Sequence, residues 1–342
     1  MPGDWIMRAK GTPVVSGLVS ALVLTVTGCH VGDTDGKDAG ANVKITVRGA
    51  VDAGVSRAAM LRDRPYRRRA APTPDGGAAP GTARLPPLLL ALHGYGSSAA
   101  QIEKGLDLDD LADAHGYALA VPDGTPDSSG RRFWFANDSC CNFDDKPVDD
   151  VAYLGAVIDD ATRRLGTDPA RVYIVGHSAG GFMALRLACD IADKVTAVVS
   201  FAGAGYADAT RCHPSRAVSV LQVHGDADTT IPYAGGTSPR LPEAVAFASA
   251  KDTIGAWGTY DRCSGVLTPA GKLDVTPDLP GAETDRARIA GCPTGLDVEL
   301  WTVKGGEHNT QLSAAGRQAI GAFLDAAGRV GALGVTPPAG DR

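Results

Sequence analysis

Ser178, His308 and Asp228 are the residues of this chain whose types and surroundings could activate a nucleophile. Ser178 lies in VYIVGHSAGG (172–181), where β-branched and aromatic residues give way to Gly176-His177-Ser178-Ala179-Gly180. A Gly-x-Ser-x-Gly pattern between a strand and a helix is what a nucleophile elbow needs. The serine there takes a strained backbone conformation, so its neighbours must lack bulky side chains. An ordinary strand-to-helix turn with an incidental serine reads the same, so the pattern needs partners. A serine hydroxyl is a weak nucleophile until a base takes its proton, and the base needs an acid to orient it.

Position along the chain sorts the histidines, because chemistry in open α/β sheets gathers beyond the carboxyl ends of the strands. His30 falls in a polar N-terminal stretch, His115 near a helix end and His213 before a strand. His93 and His224 end strands and are expected to buttress loops. His177 adjoins the serine, where the turn directs it away from the role of base. His308, in KGGEHNT after the last strand, follows Gly305 and Gly306, which let the loop reach back. It is the expected base. The acid should lie between serine and histidine. HGDADTTIPY (224–233) offers Asp228, with Asp226 as the fallback. Both could also be plain turn formers. Asp208, Asp252 and Asp261 are assigned to loop or helix surface.

An acyl-transfer transition state also needs donors for its oxyanion. The N–H of Ala179, at a helix start just after the serine, is one expectation. The N–H of Tyr95, in HGYGSSA (93–99), is the other. Tyr95, Trp134, His177 and Tyr233 are the candidates for substrate contact. Trp134 reads equally as a residue packed under its loop.

The elements that must position these residues alternate. Strands are predicted at 42–49, weakly at 65–70, then at 88–94, 117–124, 172–176, 195–203, 217–225 and 297–305. Helices are predicted at 99–115, 149–165, 179–190, 241–257 and 313–327, with irregular chain at 125–147 and a cysteine-bearing loop after 257. Apolar runs separated by helical periodicity imply an α/β fold, a mainly parallel sheet with helices on both faces. The catalytic domain is expected over 43–330, with a disordered tail at 331–342.

With 342 residues, 44% hydrophobic, the chain has ample material for a core. Its formal net charge of -6 is mild and dispersed, so no nucleic-acid partner is implied. The cluster Arg64 to Arg69 reads as a solvated strand face. Residues 1–28 combine a positive start (Arg8, Lys10), an uncharged stretch and small residues before Cys29, the pattern of an export signal. Met7 is an alternative start. A cysteine directly after the small residues resembles a bacterial lipobox, which implies cleavage before Cys29, acylation of its thiol and a polar tether over 29–42. A plain signal peptide or a marginal membrane span would read similarly. Besides Cys29 there are Cys140, Cys141, Cys189, Cys212, Cys263 and Cys292. An even set in an exported chain favours disulfides, and no short-spaced pairs mark a metal site.

These pieces together resemble the polyhydroxybutyrate depolymerase and feruloyl esterase family of secreted α/β hydrolases, including its lipoprotein branch. The motifs that carry the resemblance are HGYGSS, Trp134 followed by Cys140-Cys141, DDVAYL (149–154), VYIVGHSAGG, LAC (187–189), HGDADTTIPY and a cysteine pair before GGEH. The resemblance implies an α/β-hydrolase fold and a triad of Ser178, Asp228 and His308. It also implies that Cys263 pairs with Cys292, and that Cys140, Cys141, Cys189 and Cys212 pair among themselves. The family often has GGGH-x-W-P near its histidine, whereas this chain has GGEHNT, which puts the leaving-group pocket in question. Polymer-degrading members carry a further binding domain for which this chain has no room, so soluble esters or oligomers are expected.

The expectation is an exported, monomeric serine esterase acting on aryl (feruloyl-type) or hydroxyalkanoate esters, without metal or organic cofactor and bound to membrane only through its lipid. Acetyl esters are the second choice. A ligand-binding lipoprotein that keeps the hydrolase shell, or a metal hydrolase, are the rivals from other classes.

Overall fold

Largely apolar, buried runs form the centre of a sheet that has nine strands among the described residues. The computed structural model describes residues 56–72, 84–237, 245–309 and 311–328. All belong to one unit, Ala53–Arg342. The expected export signal, tether, Cys29 and strand at 42–49 lie outside the described residues, as does the tail at 331–342.

The described chain opens with α1 (Arg57–Asp63), β1 (Tyr66–Arg69), β2 (Leu88–Leu92), α2 (Ala99–Gly105), α3 (Leu108–His115) and β3 (Ala118–Pro122). A short pair, β4 (Thr125–Pro126) and β5 (Arg132–Phe133), precedes α4 (Asp150–Leu165), β6 (Val172–His177) and α5 (Ala179–Asp190). Then come β7 (Ala197–Phe201), β8 (Ser219–Gly225), α6 (Ala250–Tyr260), β9 (Leu267–Leu273), β10 (Thr284–Ile289), β11 (Val298–Val303) and α7 (Ala314–Gly328). The sheet order is β1-β3-β2-β6-β7-β8-β11-β10-β9. From β3 to β11 neighbouring strands are parallel. β1, β10 and β9 add antiparallel edges. This is an α/β-hydrolase fold.

Alternate residues of the buried strands feed two cores, as a period of two demands. Leu88, Leu90, Val172, Ile174, Val198 and Val220 pack with α4, α5 and α6. Leu89, Ala91, Tyr173, Val175, Val199 and Leu221 pack with α2, α3 and α7 on the other face.

Several elements differ from the reading of the sequence. The helix expected over 99–115 is two, because Asp107 takes a left-handed conformation (φ 47°) that aspartate tolerates better than most residues. Arg317 of α7 holds that break through Asp107 Oδ2 (2.8 Å). The helix expected from 241 starts at Ala250, where Ser249 accepts from the Asp252 N–H (2.9 Å) in a side-chain cap. The expected cysteine loop contains β9 and β10, and α1 was absent from the expectation. β9 is an exposed edge strand carrying Pro269 and Gly271, so no apolar alternation marked it. Two charged residues are also placed differently. Arg64 is not part of a solvated face: it pairs with fully buried Asp150 (2.7 Å). Asp261 is 1% exposed rather than on the surface.

Candidate active site

Close approaches of backbone force glycine around Ser178. A Cβ at Gly176 would lie 2.1 Å from Gly180 O, and one at Gly180 would lie 2.0 Å from Leu92 O. Ser178 itself sits at φ 54°, ψ −120°, outside the ordinary regions for a residue with a side chain. Its N–H donates to Phe201 O (2.8 Å), which ties the turn to β7. α5 starts at the next residue, so the Ser178 hydroxyl stands at the junction of β6 and α5.

The loops after β8 and β11 bring the other two residues to it. His308 Nε2 lies 2.9 Å from Ser178 Oγ. His308 Nδ1 lies 2.7 Å from Asp228 Oδ2. A carboxylate can only accept, so Nδ1–H donates to Asp228, which leaves Nε2 to accept from the serine hydroxyl. Asp228 Oδ1 takes the N–H groups of Thr230 (2.8 Å) and Ile231 (2.9 Å). Burial works against the Asp228 carboxylate, but hydrogen bonds from His224, His308 and the backbone outweigh it and hold its pKa well below the usual carboxylate range. Asp226 does not take this role. It accepts from the Gly305 N–H (2.7 Å) and pairs with Lys304, which fastens the loop bearing His308.

The remaining histidines support this frame. His224 donates from Nε2 to Ile231 O (2.8 Å), and its Nδ1 meets the Gln222 amide (3.1 Å). His93 donates from Nδ1 to Gly94 O (2.7 Å) and accepts from the Gly124 N–H (2.9 Å). His177 donates from Nε2 to the backbone carbonyl of His308 (2.9 Å), so it anchors the loop that carries His308. Burial, with His308 adding repulsion, pushes the pKa of His177 down to about 4, so it is neutral at ordinary pH.

Ser178 and His308 open onto a cleft of ≈ 560 Å³ lined also by Tyr95, Arg131, Cys140, Cys141, Phe143, His177, Ile231 and Asn309. Another hollow, of ≈ 570 Å³, lies between α1, β1 and α4 and holds none of these residues. Among the described residues the N–H groups of Tyr95 and Ala179 have no acceptor. Gly96 N–H donates to Arg132 O (2.8 Å), and the Tyr95 hydroxyl donates to Asp127 Oδ2 (2.5 Å), which pins the loop to the β4–β5 pair.

Of the residues expected at the substrate, Tyr95 and His177 line the cleft. Trp134 does not. It is fully buried and its indole N–H donates to His93 O (2.9 Å), so it packs beneath the loop. Tyr233 is also turned aside, with its hydroxyl 2.7 Å from Thr302 Oγ1 and its ring edge against His224. Ile231 and Thr230 line the cleft on that side instead. Arg131, Phe143 and the disulfide between adjacent Cys140 and Cys141 were not recognised as lining. They lie in irregular chain whose sequence has no period to show which side chains point inward. The other disulfides join Cys189 to Cys212 and Cys263 to Cys292. No cluster of His, Cys, Asp or Glu that could hold a metal occurs among the described residues.

The sequence model of the family described as Esterase PHB depolymerase matches residues 74–235. The chain is 35% identical over 239 residues to "Putative esterase NocK" of Nocardia uniformis subsp. tsuyamanensis, covering 68% of each chain. It is 28% identical over 226 residues to feruloyl esterase B of Piromyces equi, covering 65% of this chain and 39% of that protein. Poly(3-hydroxyalkanoate) depolymerase C of Paucimonas lemoignei is 28% identical, over 66% of this chain and 55% of its own. Among solved structures, an acetyl xylan esterase from Aspergillus awamori superposes with a TM-score of 0.50 at 12% identity, over 76% of this chain and 93% of that one. That likeness concerns the fold alone.

Proposed function

Because the chain belongs to the Esterase PHB depolymerase family, we propose that it hydrolyses carboxylic esters through an acyl-enzyme on Ser178. His308 Nε2 takes the hydroxyl proton as Oγ bonds the ester carbonyl carbon. Negative charge gathers on the former carbonyl oxygen and is met by the N–H groups of Tyr95 and Ala179. Collapse expels the alcohol, which leaves with the proton from His308. Water then attacks the acyl-enzyme with His308 as base, and the free acid departs. Asp228 holds the imidazole in its tautomer and stabilises the imidazolium.

The observation that carries this reading is the run of hydrogen bonds Ser178–His308–Asp228 (2.9 and 2.7 Å) ending at a serine in a strained turn. A ligand-binding protein on the same fold would have no need of that alignment. The cleft wall of Tyr95, Phe143, Ile231 and the Cys140–Cys141 disulfide supports an apolar or aromatic acyl group. Feruloyl and hydroxyalkanoate esters, named for the relatives, are therefore the first substrates to try, and acetyl esters the next. Disulfides support export into an oxidising compartment. Acylation of Cys29 would add a membrane anchor. No helix among the described residues is long and apolar enough to cross a membrane.

The test is Ser178→Ala with a p-nitrophenyl ester and a fluorophosphonate probe. The expected result is loss of turnover and of labelling in a variant whose thermal midpoint is little changed. Retained turnover overturns the assignment.

A further inference from the structure

One charged side chain of the cleft has no part in acyl transfer. Among the described residues lining it, Arg131 is the one Lys, Arg, Asp or Glu. It is not a loosely tethered surface arginine. Its N–H donates to Asp127 Oδ1 (2.9 Å) and its Nε to Ser129 Oγ (2.8 Å). Its guanidinium carbon lies 4.8 Å from the centre of the Tyr95 ring, and its aliphatic stem lies over Gly96. The β4–β5 turn that carries it is tied to the Tyr95 loop by Gly96 N–H to Arg132 O (2.8 Å) and by Tyr95 Oη to Asp127 (2.5 Å). The cation is thus held at a set offset from the Tyr95 N–H, one of the proposed oxyanion donors.

One carboxylate, Asp127, pairs with it, and that carboxylate also serves the Tyr95 loop and the turn. Asp127 is 8% exposed and sits 3.3 Å from Arg131 Nε. Its oxygens accept from Tyr95, Ser129 and the Arg131 N–H. The Tyr95 hydroxyl foremost holds it ionised. Asp144 accepts from the Ser128 N–H (2.5 Å). Ser129 Oγ, with Asp127 beside it, therefore holds the Nε edge of the guanidinium, and among the described residues Nη1 and Nη2 have no hydrogen-bond acceptor. The side chain is 60% exposed. With the Nε edge held, the Nη1–Nη2 edge of the planar fork is free, and that pair of N–H donors over an aromatic ring matches the geometry of a carboxylate.

We propose that Arg131 is a specificity residue that binds a carboxylate on the substrate, so that the preferred esters carry a free carboxylate separate from the scissile group. Half-esters of dicarboxylic acids and acid-terminated oligoesters of hydroxy acids are the members of that class. The proposal rests on the acyl-transfer reading of Ser178.

The experiment compares kcat/KM for the monomethyl and dimethyl esters of the straight-chain diacids from succinate to suberate, corrected for the two equivalent ester groups of the dimethyl compounds. It uses the full chain, Arg131→Gln and Arg131→Lys. At the best chain length the wild-type protein should favour the monoester by about tenfold or more, chiefly through KM, and the preference should shrink as salt rises. Arg131→Gln should erase the preference and Arg131→Lys should keep part of it. Equal or better turnover of the diester at every length, or an unchanged ratio in Arg131→Gln, overturns the proposal while leaving the esterase reading standing. No hydrolysis of any ester, together with no fluorophosphonate label on Ser178, overturns both.

Discussion

Ser178 holds φ 54°, ψ −120° because glycines on either side let β6, α5 and the end of β2 close around it. Gly180→Ala would drive a methyl group to 2.0 Å from Leu92 O. We expect it to cost about 1–3 kcal/mol of stability and most of the activity, read from a urea midpoint beside ester turnover. Asp228→Asn should lower kcat by roughly 10⁴-fold, since an amide beside Nδ1 favours the wrong imidazole tautomer; steady-state kinetics check it, and a rate within about tenfold of wild type would contradict the proposed role. These residues were legible because glycine spacing and strand ends mark where the chain must turn. Trp134 and Tyr233 were not, because an aromatic residue in irregular chain packs inward or lines a cleft with the same letters around it. Arg131 is the converse case, a charged residue that reads as surface and faces the cleft.

The loops beneath the cleft depend on elements some distance along the chain. Trp134 braces His93 O, and Phe135 N–H donates to Asp150 Oδ2 (2.8 Å) at the start of α4. Arg64 pairs with the other oxygen of Asp150 and lies 3.8 Å from the centre of the Tyr153 ring. Asp150→Ala would leave that guanidinium without its buried partner. A loss of about 3–5 kcal/mol is expected, visible as a fall in thermal midpoint, and ester turnover should fall with it because the loop below Tyr95 loosens. The parallel strands were legible as runs rich in apolar residues, as sheets buried on both faces require, although Ser200, Gln222 and Glu299 are buried within them. α4 was legible from its periodicity. β9 and β10 were not, since an exposed edge hairpin needs no apolar face and its Pro269 and Gly271 read as loop.

At the scale of the whole molecule, two cores on opposite faces of one sheet hold the loops in place, and one buried acid opposes them. Asp261 follows α6 and is 1% exposed. Its Oδ1 accepts from the Val218 N–H (3.1 Å), while its Oδ2 has no hydrogen-bond partner among the described residues. Burial raises its pKa from 3.8 to about 7. Below the ordinary pKa both folded and unfolded forms hold the proton and there is no cost. As pH rises towards the folded pKa, the unfolded chain ionises first and stability is lost, on the order of 4 kcal/mol by neutral pH. Asp261→Asn keeps an acceptor for Val218 and cannot ionise. Its thermal midpoint should exceed that of the wild-type protein near pH 8 and match it near pH 4; an equal gap at both would contradict the burial argument. Sequence alone did not expose this group, because a polar residue just after a helix is ordinarily at the surface.

The most direct test of the central claim is to trap the acyl-enzyme. The protein is mixed with a p-nitrophenyl ester, quenched in acid within the first turnovers and digested for peptide mass spectrometry. An acyl group on Ser178, absent from Ser178→Ala and accumulating in Asp228→Asn no faster than its p-nitrophenol release, is the predicted result. Ester turnover with no adduct on Ser178, or undiminished turnover by Ser178→Ala, would contradict it.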